Sequence, residues 1–194
     1  MKSDLETKIP AKPPNIWLLG MRPRTLTMAA VPVTVGAVLA WAGGTNPDWL
    51  TFIATLACAV LIQIGTNLLT DAKDGERGAD GPDRIGPLRI TGAGLAKPKQ
   101  VRRAALACFV AALAAGLYLV FVGGMPILLI GLASLVSGYA YSSGRRPLSH
   151  GPFSEVYVIV FFGLVAVAGS YYLQSGQMPE GAVLLTGIAI GCYA

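Results

Sequence analysis

The sequence predicts an all-α fold, a polytopic bundle of membrane-spanning helices, on three observations. Of 194 residues, 54% are hydrophobic and only 13% charged, about half the charge of an average soluble domain, and the mean hydropathy is +0.59. The apolar residues come in blocks near the ~20 residues that a helix needs to cross the hydrocarbon core. All fifteen Lys and Arg fall in alternate polar gaps between those blocks. Disorder is excluded by the apolar content. A disulfide scaffold is excluded because Cys58, Cys108 and Cys192 are few, far apart and set in apolar runs. The net charge of +5 is small and scattered, unlike the concentrated basic face of a nucleic-acid binder.

Residues 1–24 read as a polar tail with Pro10, Pro13 and Pro14 and without a cleavable signal pattern. Its end, Asn15–Arg24, is expected to form an interfacial helix with Trp17 at headgroup depth. Residues 25–194 form the membrane domain. Spans are predicted at Thr25–Trp41, Trp49–Leu69, Ala104–Val122, Met125–Tyr141 and Phe153–Leu173, with a sixth from about Gly181. Internal Pro32, Gly36, Gly116, Gly131 and Gly163 do not veto helix, since membrane helices tolerate both residue types. Small residues such as Gly131, Ser134, Ser137 and Gly138 permit close helix packing. The segments 42–48, 123–124 and 174–180 lack Lys and Arg, whereas the N-terminal tail and the segments around 70–103 and 145–146 carry them all. The positive-inside rule then sets the N-terminus and the basic segments in the cytoplasm.

The chemistry is expected at the end of the second span. Asp71, Asp74, Glu76, Asp80 and Asp83 fall within thirteen residues. If that helix continues, Asn67, Thr70, Asp71 and Asp74 lie at i, i+3, i+4 and i+7, on one face. Clustered carboxylates raise one another's pKa unless a cation neutralises them. Oxygen ligands without His or Cys suit Mg²⁺, which is typically held by one or two carboxylates and substrate phosphates. The interleaved Lys73, Arg84 and Arg89 supply countercharge for a phosphate. A mixed-charge run is otherwise a solvated connection. Two features argue against that here: Asn67 falls inside the membrane, where polar residues face a cavity or the bundle interior, and a connection of about thirty residues is commonly functional.

From Asn67 to Arg89, ending Asp83-Arg84-Ile-Gly86-Pro87-Leu-Arg89, the chain resembles the first aspartate-rich motif of UbiA-type intramembrane prenyltransferases. Three further stretches agree: Arg22-Pro-Arg24-Thr-Leu, Tyr139-x-Tyr141-x-x-Gly144 followed by Arg146-Pro147, and Phe161-Phe162-Gly163 followed by Gly169-Ser-Tyr-Tyr-Leu. The resemblance is nearest to the branch acting on 1,4-dihydroxy-2-naphthoate in menaquinone biosynthesis. It implies transfer of a polyprenyl group from polyprenyl diphosphate to that acceptor, giving demethylmenaquinone, with Mg²⁺ as cofactor. The family's Asn-x3-Asp-x5-Asp pattern falls on Thr70, Asp74 and Asp80, with Thr in place of Asn. Asn67 and Asp71, one turn earlier, are expected to share the missing role. Asp71, Asp74 and Asp80 are thus the implied metal ligands, and with Asn67 the catalytic set. Thr70, Lys73, Arg84, Arg89, Arg24 and Glu155 are the implied substrate-binding positions. The family has nine membrane helices and a second aspartate-rich motif after the sixth, so about six spans of nine are expected here and the chain reads as shortened at its C-terminus.

Glu155 binds substrate or, as an acid in a first turn, caps the fifth helix. His150, the one histidine, reads as structural. Gly92-x-Gly94 lacks the ending of a phosphate loop and reads as the turn into the third span. Rival readings are the same chemistry on another acceptor (4-hydroxybenzoate, another quinone precursor or a lipid), a cation transporter, and an inactive fragment. Transporters usually show repeated halves and acids near the midplane, and the sequence shows neither.

Overall fold

The computed structural model describes residues 15–77, 89–142 and 154–193, and these are helical apart from short turns, with no strand among them. Helix α1 (Ile16–Met21) is capped by Asn15, whose side chain accepts from the Trp17 N–H at 2.9 Å. Helix α2 (Pro23–Ala42) starts on a proline, which has no N–H to leave unpaired there. Helix α3 spans Trp49–Arg77 and α4 Pro98–Ser142. Then α5 (Ser154–Val158), a π-helical stretch Ile159–Val165 and α6 (Ala166–Ser175) run on as one rod, followed by α7 (Gly181–Tyr193). Among the described residues, α2, α3, α4 and the rod are long and apolar enough to cross a membrane.

Helix α4 holds two of the predicted spans. At Gly124 the backbone takes φ 66° and ψ −152°, a region open essentially to glycine alone, and the chain reverses. Pro126 follows, near the start of the second arm. The arms lie side by side: a Cβ on Gly138 would sit 3.6 Å from the Phe109 ring and 3.1 Å from Thr66 Oγ1 on α3. Residues 98–123 and 125–142 are then roughly 39 and 27 Å long at the α-helical rise, matching the third and fourth spans.

Two apolar clusters hold the bundle. At one end Leu68, Leu69 and Ala72 of α3 pack with Ile90, Val101 and Ala105, and Trp17 and Leu19 of α1 join them. Trp17, half-buried, is therefore fastened to the core of that end. At the other end Leu119 and Ile127, on either side of the reversal, pack against Leu173 of α6. That end is also latched by polar groups. Gln174 Oε1 accepts from Trp41 Nε1 at 2.8 Å and from the Asp48 N–H at 3.1 Å, while Gln174 Nε2 donates to the Asp48 carbonyl. A buried amide in a membrane protein has no water to fall back on, so all of its groups need such partners.

The outer surface is apolar. Phe121 is 89% exposed, and Val110, Met125, Val136 and Leu185 are each more than 60% exposed, which a water-facing surface would not sustain. The chain is a multi-pass membrane protein.

Because the reversal needs a glycine-only conformation, Gly124→Ala should lower stability by about 1–3 kcal/mol. Thermal unfolding in detergent should show a reduced Tm, and an unaltered Tm would mean that the turn tolerates a side chain.

Candidate functional site

The polar face of α3 organises the site. Helix α3 runs to Arg77, eight residues past the predicted end of its span, so Gln63, Thr66, Asn67, Thr70, Asp71 and Asp74 do share one broad face. The face then divides. Gln63, Thr66, Asn67 and Thr70 border a cavity between the helices, and the two aspartates turn to the segment 89–96.

Asp71 is 1% exposed, and its carboxylate is taken up by that segment. It accepts from the Ile90 N–H at 2.9 Å, from the Thr91 N–H at 3.0 Å and from Thr91 Oγ1 at 2.5 Å. Three donors on one carboxylate leave little room for a metal. Asp74, also buried, pairs with the Arg89 guanidinium, which donates in addition to the Thr70 carbonyl at 3.3 Å. The turn itself is closed by Ala93 N–H to Arg89 and Leu95 N–H to Ile90 bonds. It leads into α4, as the Gly92-x-Gly94 reading expects. The aspartates thereby fix where Arg89 stands.

A second cation is brought to the same place from the other side. Between α1 and α2, Arg22 adopts φ 54° and ψ 70°, unusual for any residue but glycine. This corner is pinned by Asn67, whose Nδ2 donates to the Met21 carbonyl and to Thr25 Oγ1, each at 2.9 Å. Arg22 and Arg89 both border the cavity. Burial, and after it the charge of Arg22, hold the Arg89 guanidinium below its ordinary pKa, with Asp71 opposing. Two arginines close enough to repel, beside a largely apolar cavity, have the chemistry to suit an anion with more than one charge.

The cavity is about 480 Å³. Thr25, Gln63, Thr66, Asn67 and Thr70 with the two arginines form its polar end, and its remaining wall is almost wholly apolar, from both arms of α4 and from the rod. On that wall the Tyr157 and Phe161 rings stack at 4.7 Å, Phe161 and Phe162 belonging to the π-helical stretch. Such stretches are frequent at functional sites.

Of the expected site residues, Asn67, Thr70 and Arg89 meet at the cavity, and Asp74 stands behind Arg89. Asp71, expected beside the metal, is buried with its carboxylate bonded to Ile90 and Thr91. Arg24 is exposed and does not border the cavity, whereas Arg22, at the left-handed corner, does. Lys73 pairs with Glu76 at 3.1 Å and does not border the cavity. Glu155 is exposed in the first turn of α5, the capping alternative. Asp80 and Arg84, like His150, lie outside the described residues. Arg22, Thr25 and Gln63 were not singled out beforehand, although a glutamine in mid-span is itself a signal, since polar residues there face a cavity or a partner. Among the described residues no three acids, histidines or cysteines gather as a metal cluster.

The sequence model of the UbiA prenyltransferase family matches residues 29–194. Among curated proteins, the 1,4-dihydroxy-2-naphthoate octaprenyltransferase of Mycobacterium tuberculosis (strain ATCC 25618 / H37Rv) is 38% identical over 160 residues, covering 82% of this chain and 54% of its own length. The enzyme of the same name from Escherichia coli (strain K12) is 36% identical over 184 residues, covering 92% of this chain and 59% of its own. The 2-carboxy-1,4-naphthoquinone phytyltransferase of Synechocystis sp. (strain ATCC 27184 / PCC 6803 / Kazusa) is 28% identical over 166 residues, covering 83% and 52%. The chain thus spans a little over half the length of these relatives.

Asp71→Ala should destabilise the ligand-free protein by about 3 kcal/mol, because buried Ile90 and Thr91 N–H groups lose a charged acceptor. Thermal or denaturant unfolding in detergent measures this. A stability equal to wild type would contradict the clamping role and return Asp71 to the metal.

Proposed function

The chain belongs to the UbiA prenyltransferase family, and from that footing we propose that it carries the prenyl-diphosphate-binding half of an enzyme that prenylates 1,4-dihydroxy-2-naphthoate, the reaction that yields the quinol form of demethylmenaquinone. The observation that carries this reading is the cavity: two arginines and a row of hydroxyls and amides at one end, an apolar bore for the rest. A polyprenyl diphosphate has that same division, a polyanion joined to a hydrocarbon. The names of the relatives support the naphthoate as acceptor.

In the proposed reaction the C–O bond to the diphosphate breaks and both electrons leave with the diphosphate. The ring carbon that bears the carboxylate supplies the pair for the new C–C bond, and the carboxylate then leaves as CO₂, which restores the aromatic 1,4-diol. Arg22 and Arg89 hold the diphosphate oxygens and disperse the charge that grows on them. Such stabilisation in a water-poor site is worth several kcal/mol of barrier. Asp74 keeps the Arg89 fork aimed. The apolar wall excludes water that would otherwise capture the allylic cation, and the faces of Tyr157 and Phe161 are apt for a positive charge.

Mg²⁺ fits this donor set in part. With Asp71 committed to the backbone, Asp74 and Asp80 are the carboxylates proposed to hold it, and oxygen ligands of this kind suit it. When bound it would neutralise diphosphate charge. We place this rim of the bundle on the cytoplasmic side, as the Lys and Arg distribution favours, with the hydrocarbon tail drawn from the bilayer.

Arg22→Gln and Arg89→Lys should each weaken binding of a prenyl diphosphate to the purified chain by ten- to a hundredfold, since each loses a charge-assisted or bidentate contact. Titration of tryptophan fluorescence or a thermal shift reads this out. Affinities unchanged in both variants would refute the site. Chelating divalent ions, or changing Asp74 to Asn, should lower the same affinity; indifference to both would remove Mg²⁺ from the reading.

A further inference from the structure

Gln63 is 6% exposed in the middle of α3 and belongs to the cavity wall. Its Oε1 is buried and has no hydrogen-bond partner among the described residues. A buried carbonyl left in that state ordinarily costs stability, so its persistence calls for a function.

The direction of this amide follows from its neighbours. The Met21 backbone carbonyl accepts only, so the Asn67 group facing it at 2.9 Å is the NH₂. Asn67 Oδ1 is then the end that faces Gln63, and it takes the Gln63 NH₂ at 3.5 Å. Both amides are aligned by one fixed carbonyl, and the chain of bonds ends on Gln63 Oε1. Gln63 belongs to the cavity wall, so an acceptor with no donor attached stands beside that space. A diphosphate, itself made of acceptors, gains nothing from such a group. A hydroxyl does.

Building on the function proposed above, we propose that Gln63 Oε1 accepts a hydrogen bond from a ring hydroxyl of the aromatic acceptor, and so selects and orients a hydroxylated ring against the polar end of the cavity. The two substrates are then sorted by hydrogen-bond polarity. Arg22 and Arg89 are donors and take the anion, and Gln63, one helical turn below Asn67, takes the hydroxyl. The same contact serves the chemistry, because a hydroxyl on the attacked ring becomes a stronger donor as positive charge develops there.

The test uses the purified chain in nanodiscs, under anaerobic conditions, with 1,4-dihydroxy-2-naphthoate and its two mono-methyl ethers as ligands. Wild type should bind at least one ether about tenfold more weakly than the parent, the worth of one hydrogen bond. In Gln63→Met, which keeps the shape and removes the amide, that difference should shrink to within about twofold. The Tm of the ligand-free variant should equal or exceed that of wild type, because an unsatisfied buried group has been replaced by an apolar one. A role that is only structural predicts the opposite, a lower Tm with hydroxyl discrimination intact. Gln63→Leu gives an independent check should the methionine pack poorly. If the variants discriminate as well as wild type, the assignment of Gln63 is overturned while the proposed function stands. If wild type binds prenyl diphosphate but none of the three aromatics, the naphthoate reading fails and this assignment with it.

Discussion

Everything at the polar end of this bundle depends on how buried side chains of one helix hold two arginines. Helix α3 presents Asn67 to the corner between α1 and α2, and Asp71 and Asp74 to the segment 89–91. Asn67 ties down the corner that carries Arg22. Asp71 ties down the backbone next to Arg89, and Asp74 pairs with Arg89 itself. A guanidinium is costly to bury and long enough to swing away, so two of them stay at a cavity mouth only if their backbones are fixed. The bonds that fix them are all drawn from within the chain.

The outcome is a division of labour among carboxylates that look alike in sequence. Asp71 accepts three bonds from N–H and O–H donors and acts as the anchor of a turn. Asp74 stands one helical turn further out, against a guanidinium, where a cation and a diphosphate both remain within its chemistry. Equal spacing on a helix face does not give equal roles. What separates them is the segment that folds back nineteen and twenty residues later and reaches Asp71 first.

The spans were legible because long apolar blocks and alternating basic gaps leave few alternatives for a chain in lipid. The reversal at Gly123-Gly124 was legible as well, since two glycines without a charge interrupt otherwise continuous hydrophobicity. Helix ends were less so. Helix α3 passes its predicted end at Leu69 because the polar residues beyond it find partners in residues 89–91, and hydropathy carries no record of such partners. Arg22 and Arg24 sit in one short motif, and only the left-handed backbone at Arg22 decides which faces inward. Gln63 shows a different limit. Its position in an apolar run was a visible anomaly, but the meaning lies in the order of donors and acceptors through Asn67 to Met21, forty-odd residues away in sequence.

The central claim is that one cavity takes the diphosphate at Arg22 and Arg89 and the hydrocarbon along its apolar wall. Photolabelling with a polyprenyl diphosphate that carries a diazirine in its tail, followed by mass-spectrometric mapping, tests it most directly. The account predicts adducts on buried or half-buried wall residues such as Val33, Leu119, Ile127 and Phe162, suppressed by unlabelled polyprenyl diphosphate. Adducts confined to lipid-facing positions such as Val110 and Phe121, or labelling that competitor leaves untouched, would contradict it.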